Sequence, residues 1–136
     1  MSAENTELIE RWFREVWNAG NVATIRELLA DDVVTHIGDQ TLRGPSAFED
    51  FHTAYRTAFP DVNVRVEHIV TQGDTVAFRW TATATHTGTL LGRVPTGRRV
   101  AFEGMGIVRV DNGKIVEGWN TFDQLGMLQQ LGIVKL

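Results

Sequence analysis

Asp123 is the residue whose position most directly suggests proton transfer. It stands in WNTFDQLGML, where a run with the two-residue period of a strand changes to a run with helical spacing. An aspartate at such a point is a good N-cap for the helix that follows. The same residue at the mouth of an apolar pocket could act as a general base, because a carboxylate that loses contact with water gains basicity. The residue types alone favour the cap, and the two roles can coexist.

Further candidates for binding or catalysis lie along the chain. His36, in VVTHIGD, could orient a substrate or share a proton with Asp123, or it could be a rim histidine bonded to local backbone. Arg79 could bind a carbonyl or carboxylate oxygen, or form an ion pair with Glu103 on a neighbouring strand. Glu103 and Met105 share one face of that strand. A buried Glu103 would be a second acid/base candidate, whereas an exposed one would be an ordinary surface charge.

Tyr55 and Trp119 are the aromatic residues that we expect to contact a substrate. Tyr55 has a polar tip, and Trp119 lies four residues before Asp123. Other aromatic residues recur at helical spacing, which is more typical of core packing. His52, His68 and His86 do not have the spacing of a metal site, so the sequence predicts no bound metal.

Composition restricts the class of protein that these residues belong to. The 136 residues are 43% hydrophobic and 22% charged, with a formal net charge of −4, which argues against nucleic acid as a partner. There is no cysteine, so disulfides and thiol chemistry are excluded. We find neither a signal peptide nor an apolar run long enough to cross a membrane. We therefore expect a cytoplasmic protein with no membrane partner.

The first half of the chain is predicted to be helical. Apolar residues recur at helical spacing from Thr6 to Ala19, and Asn21 can cap a second helix over Val22 to Leu29. A third helix is predicted after Gly44-Pro45, with Ser46 and Glu49 at capping-box spacing, and it ends before Pro60.

The second half alternates with a period of two. Strands are predicted from Val62, over Thr75–Thr87, over Arg99–Val110 and over Lys114–Thr121, with Asn112-Gly113 as a hairpin turn. Alternation places the Arg79 side chain on one face of its strand and those of Phe78 and Trp80 on the other, but it does not show which face lines a pocket. Gly104 and Gly106 are expected bulge points that let the sheet bend. The order of elements predicts one α+β domain over residues 1–136, with a curved, cone-shaped antiparallel sheet packed on about three N-terminal helices.

Four stretches carry a family resemblance that spans nearly the whole chain: WNAGNVATIRELLADDVVTH, AFPDVNVRVEHIVTQGDTVAFRWTATATHTGTLLG, PTGRRVAFEGMGIVRVDNGKIVEGW and DQLGMLQQLG. They resemble the SnoaL-like polyketide cyclases, or ester cyclases, of the nuclear-transport-factor-two-like superfamily. The resemblance implies an α+β barrel, commonly a homodimer, with no cofactor or metal. It also implies an intramolecular aldol condensation on a small polyketide-like substrate, with Asp123 matching the family's acid/base residue.

Two alternatives use the same fold. One is a non-catalytic module that binds a small hydrophobic ligand or mediates dimerisation. The other is a different acid/base enzyme, such as an isomerase or an epoxide hydrolase. Related epoxide hydrolases carry an Asp-Arg-Asp set, in which Arg79 matches the arginine. Thr81 and Thr121 stand where its partner carboxylates are expected, which counts against epoxide opening.

Overall fold

Helices form most of the first half of the chain and strands most of the second half. The computed structural model describes residues 2–135. Its elements in chain order are α1 (Ser2–Arg11), a π-helical segment (Trp12–Asn18), α2 (Val22–Leu28), β1 (Leu29–Ile37), β2 (Gln40–Arg43), α3 (Gly44–Ala58), β3 (Asn63–Gln72), β4 (Thr75–Thr85), β5 (Arg99–Asp111), β6 (Lys114–Phe122) and α4 (Gln124–Gln130). Among these described elements, no helix is long and apolar enough to cross a membrane.

The predicted first helix exists, but its second half is wound as a π-helix. Trp12, Phe13 and Val16 of this segment are buried against the sheet. The side-chain amide of Asn18 bonds both the N–H and the C=O of Val64, at 2.6 and 2.9 Å, which fixes the start of β3. The wider winding therefore places two large aromatic rings and one bracing amide on the side of the helical layer that faces the strands.

The caps of the next two helices differ in how well the sequence predicts them. The Asn21 side chain accepts a hydrogen bond from Ala23 N at 3.1 Å, so the predicted cap of α2 is confirmed. The predicted capping box of α3 is wrong, because α3 has no side-chain cap. The helix begins two residues before Ser46, with Arg43 at the N-cap position, so Ser46 and Glu49 lie inside it and both contact Arg26 of α2.

The strands described in residues 2–135 form one mixed, curved and unclosed sheet in the order β2-β1-β6-β5-β4-β3. All neighbours are antiparallel except β1 and β6, which run parallel with His36 opposite Trp119. The α+β class and the curved sheet on N-terminal helices are confirmed. A purely antiparallel sheet was wrong, because the first strand pairs with the last one in the chain rather than only with its hairpin partner.

The helices cover one face of this sheet, which we call the inner face. On β4 it carries Val76, Phe78, Trp80 and Ala82, whereas Arg79 lies on the opposite, outer face. This settles the question that strand alternation left open.

Gly104 and Gly106 have a different purpose from the bulges predicted for them. The β4–β5 register runs unbroken through both, and the β5–β6 irregularity lies at Arg109/Val110. A Cβ at Gly104 would lie 2.4 Å from the Trp80 ring, and one at Gly106 would lie 2.6 Å from the Phe78 ring. The two glycines therefore make room for aromatic rings that lie across β5.

A second, smaller group of buried residues closes one end of the layer. It joins Phe59 after α3, Leu90 in the loop between β4 and β5, and Met127 and Leu131 at α4, each at most 2% exposed. The loop is thus anchored by its own apolar residue, and α4 is held against the end of the sheet.

Candidate active site

A cavity of about 110 Å³ lies between the helical layer and the inner face of the sheet, and we call it the inner cavity. Its wall is mostly aromatic, and the aromatic residues lie in the π-helical segment, in and just after α3, and in the three strands β4, β5 and β6: Trp12, Phe13, Trp17, Phe48, Phe51, Tyr55, Phe59, Phe78, Trp80, Phe102, Trp119 and Phe122. A cavity of about 150 Å³ lined by apolar side chains holds benzene. The inner cavity can therefore receive about one ring of an organic molecule.

Few polar groups reach this wall. Besides the indole N–H groups, the polar side chains are Thr35, Tyr55 and Asn120, and none of the described lining residues is Asp, Glu, His, Lys or Arg. Burial raises the pKa of the Tyr55 phenol, and the hydrogen bond from Gln124 acts in the opposite direction. Tyr55 is therefore a neutral O–H donor at neutral pH rather than a base.

Asn120 is positioned by β6 and by a tryptophan. It lies on the inner face of β6, between Gly118 and Phe122, and is opposite Gly106 of β5. Trp80 Nε1 donates a hydrogen bond to Asn120 Oδ1 at 3.3 Å. An indole N–H can only donate, so this bond assigns the oxygen of the amide to Trp80.

One edge of the inner cavity meets solvent where α3 approaches the end of β6. The rings of Tyr55 and Phe122 are in edge-to-face contact with centroids 5.8 Å apart, and both are half-buried. The exposed Gln124 donates from Nε2 to the Tyr55 hydroxyl at 3.3 Å. We call this edge the Tyr55 edge.

Asp123 lies next to the Tyr55 edge in sequence but does not line the inner cavity. It is exposed, and its Oδ1 accepts a hydrogen bond from Gly126 N at 2.8 Å as the N-cap of α4. The expected cap is confirmed. Oδ2 makes no hydrogen bond to any described residue, so one carboxylate oxygen is free of the cap.

His36 and Trp119 meet each other on the outer face. Their rings stack with centroids 5.5 Å apart, and the His36 Nε2 is 2.9 Å from Glu117 Oε2. His36 and Arg109 hold the pKa of the Glu117 carboxyl below its usual range. The sheet therefore separates the His36 ring from the cavity interior, and the polar partner of this ring is Glu117 rather than Asp123, so the expected sharing of a proton is not supported. Trp119 is among the residues that line the inner cavity, but its ring lies on the outer face and the residue is 43% exposed.

Arg79, Glu103 and Met105 also lie on the outer face, so the structure places none of these expected substrate-binding residues in the inner cavity. Arg79 binds Glu103 at 3.2 Å, which is the alternative that the sequence left open. Met105 is 58% exposed. The reason is strand parity, because each of them alternates with a residue that points toward the helices. Of the expected contacts, only Tyr55 and Trp119 border the inner cavity.

Within residues 2–135, no three His, Asp or Glu side chains come together in a way that could hold a metal ion. Sequence reasoning missed Asn120, Thr35 and Gln124. Asn120 could have been found from its parity, since it alternates with Trp119 and has the same facing as Phe122. That signal becomes usable only once the inner face is known.

Comparison with known proteins places this geometry in a family. A family model described as SnoaL-like polyketide cyclase matches residues 7–131. The chain is 30% identical over 125 residues to the aklanonic acid methyl ester cyclase DnrD of Streptomyces peucetius, covering 87% of this chain and 84% of DnrD.

Solved structures agree with this relationship. AclR from Streptomyces galilaeus superposes with a TM-score of 0.90 at 29% identity, over 100% of this chain and 89% of AclR. IdmH from Streptomyces antibioticus superposes with a TM-score of 0.82 at 34% identity, over 94% of this chain and 98% of IdmH. The family match covers most of the chain and the fold matches throughout. The chain therefore belongs to the SnoaL-like polyketide cyclase family.

Proposed function

We propose that this chain is a cofactor-independent cyclase that closes a ring on a small, carbonyl-containing, polyketide-like substrate by acid/base chemistry. The observation that carries the proposal is the inner cavity, an aromatic space with a few neutral polar groups in a member of this family. The named substrate of DnrD is a methyl ester, which supports an ester or ketone as the reacting group.

The volume of the inner cavity limits how a substrate would bind. About 110 Å³ accommodates roughly one ring, and ligand pockets for larger molecules are typically about 300–1,000 Å³. A polycyclic substrate would place the reacting ring among the aromatic residues and leave the remainder at the Tyr55 edge. Exclusion of water around the reacting atoms would strengthen every hydrogen bond to them.

The proposed reaction is an intramolecular aldol addition, which balances without a co-reactant. A base removes a proton from the carbon next to one carbonyl, and the electron pair moves onto that carbonyl oxygen. The resulting enolate carbon forms a bond to a second carbonyl carbon of the same molecule. The alkoxide formed there takes a proton, so the product is an isomer of the substrate.

Asp123 is the proposed base. Its Oδ1 is engaged by Gly126, while Oδ2 is free to accept a proton, and its neighbours in sequence form the Tyr55 edge. The Tyr55 hydroxyl, a donor at neutral pH, would give a proton to the product oxygen, and water at the Tyr55 edge would carry the proton held by Asp123 back to Tyr55.

Incubation of the chain in D₂O with aromatic methyl esters that carry a second carbonyl group, placed so that an aldol addition closes a six-membered ring, tests this proposal. We expect a product of the substrate's composition with one carbonyl fewer, and deuterium at the α-carbon of recovered substrate. Both signals should depend on Asp123. Ligands that bind without conversion or deuterium exchange would contradict the enzyme and favour the non-catalytic binding module, to which the cap position of Asp123 already lends support.

We also propose that two copies of the chain associate through the outer face. One cross-strand row on this face joins Val70, Ala77, Ile107, Trp119 and His36 on five successive strands. Three of its members are large exposed hydrophobic residues, at 66%, 45% and 43% exposure for Val70, Ile107 and Trp119.

The charges beside this row already have partners. Arg79 pairs with Glu103, and Glu117 pairs with Arg109 and His36. An apolar row between neutralised pairs suits a self-complementary contact about a two-fold axis. Ile107→Asp should convert a dimer into a monomer in sedimentation experiments, with an unchanged circular dichroism spectrum. A monomeric parent protein at micromolar concentration would contradict the proposal.

A further inference from the structure

Asn120 is the one side-chain amide among the described residues that line the inner cavity. It lies on the central strand β6, which has neighbours on both sides, so its backbone is fixed. A neutral amide offers both an acceptor and a donor, and the contacts around it determine which of the two faces the cavity.

Trp80 settles the orientation of this amide. Its Nε1 donates to Asn120 Oδ1 at 3.3 Å, and the Trp80 side chain is only 7% exposed. Because the oxygen is taken by a pure donor, the Asn120 Nδ2 group is left as a donor, and it bonds no other described residue.

Gly104 permits this arrangement. It is the direct partner of Trp80 across the β4–β5 pair, and a Cβ there would lie 2.4 Å from Cζ2 of the indole ring. A side chain at position 104 would push the ring off β5 and away from Asn120. The glycine, the indole and the amide thus form a three-part support for one N–H donor in an aromatic cavity.

We propose, on the basis of the cyclase function above, that Asn120 Nδ2 binds the carbonyl oxygen of the substrate and stabilises the negative charge that it gains when the α-proton leaves. The ligand class is an aromatic ring bearing a carbonyl, with its oxygen directed to β6. An N–H donor fixed in place before the reaction is most effective in such a dry site, where loss of one donor typically lowers kcat by about 10²–10³-fold.

Binding of a matched pair of small ligands tests the inference without needing the natural substrate. Acetophenone and ethylbenzene have similar shapes, but only the ketone can accept a hydrogen bond. We expect the parent protein to bind acetophenone about two- to tenfold more tightly, in line with one net hydrogen bond. Infrared difference spectra with carbonyl-labelled acetophenone should show the C=O stretch at lower wavenumber than in hydrocarbon solvent.

Two variants provide the comparison. Asn120→Leu should bind both ligands equally and lose the infrared shift. Trp80→Phe keeps an aromatic ring and removes the indole N–H, so it should reduce the preference and broaden the carbonyl band. If Asn120→Leu fails to fold, Trp80→Phe alone carries the test.

The possible results separate this inference from the proposed function. Equal binding of the two ligands by the parent protein, or an infrared shift that persists in Asn120→Leu, would overturn the role of Asn120 and leave the cyclase proposal intact. Failure of both ligands to bind would overturn the inner cavity as a binding site, and both proposals with it. Asp123→Asn should retain the ketone preference, because that preference depends on β6 and not on the base.

Discussion

Two substitutions at Asp123 separate its observed contribution to stability from its proposed contribution to catalysis. The carboxylate satisfies one of the free N–H groups at the start of α4, through a 2.8 Å hydrogen bond from Gly126 N. Asparagine caps a helix about as well as aspartate, so Asp123→Asn should change the free energy of unfolding by no more than about 0.5 kcal/mol. Asp123→Ala removes the acceptor and should cost about 1 kcal/mol, or roughly 4 °C in Tm.

The effect on turnover follows a different order. If Asp123 is the base, both variants lose it, and kcat should fall by about 10²–10⁴-fold in each. Stability would then separate the two variants while activity would not. Thermal unfolding and initial rates on the same preparations give both quantities. Asp74→Asn, in the β3–β4 turn, is a matched control because that exposed carboxylate also accepts a local hydrogen bond.

Two results would refute this reasoning. Turnover of Asp123→Asn within about threefold of the parent would exclude a base at this position, since an amide cannot accept the proton. Activity lost in Asp123→Ala but retained in Asp123→Asn would show that position 123 acts through the helix cap and not as a base.

The remaining predictions concern stability. Burial lowers the pKa of His52, so below about pH 6.5 the unfolded chain binds a proton more readily than the folded chain does. The free energy of unfolding should therefore fall by up to about 1.4 kcal/mol for each pH unit below that point. Between pH 7.5 and 5.5 the Tm should fall less in His52→Leu than in the parent, and an equal fall in both would be inconsistent with this cause. Gly104→Ala should destabilise the protein by about 1–3 kcal/mol in urea unfolding, because the new Cβ would meet the Trp80 ring. Gly118→Ala is the control and should be tolerated, because its Cβ would have no contact closer than 3.4 Å. Similar losses of stability at both positions would contradict the packing argument.

Local signals in the sequence predicted local structure well. Asn21 caps α2 as expected, and Asn112 and Gly113 both have positive φ in the β5–β6 hairpin, as a tight turn of that sequence requires. The Asp123 cap also followed from residue type alone. In each case the groups that form the cap or turn lie within a few residues of one another, so the local sequence is enough to predict it.

Non-local features could not be predicted in the same way. Alternation divides β4 into two faces, but only the position of the helices determines that Trp80 faces inward and Arg79 outward. Arg79, Glu103 and Met105, the expected substrate contacts, lie on the outer face for this reason. Ser46 failed as a cap because α3 already begins at Gly44, which leaves Ser46 inside the first turn, where its hydroxyl accepts a hydrogen bond from Arg26 of another helix. Asn120 gained its importance from Trp80 and Gly104, which are neighbours only after the sheet has formed.

The parallel pairing of β1 with β6 also bears on how the protein reaches its native state. Strands β3, β4 and β5 are consecutive in the chain and can pair as antiparallel neighbours early in folding. By contrast, β1 and β2 alone form a two-stranded ribbon of marginal stability. That ribbon must wait for Lys114–Phe122, which pairs with β5 across the Asn112-Gly113 turn and offers its other edge to β1, and this distant β1–β6 contact is slow to form. Strand β6 is the one that carries Asn120. A nascent chain that ends before β6 therefore lacks Asn120 and cannot bind a ligand at that amide.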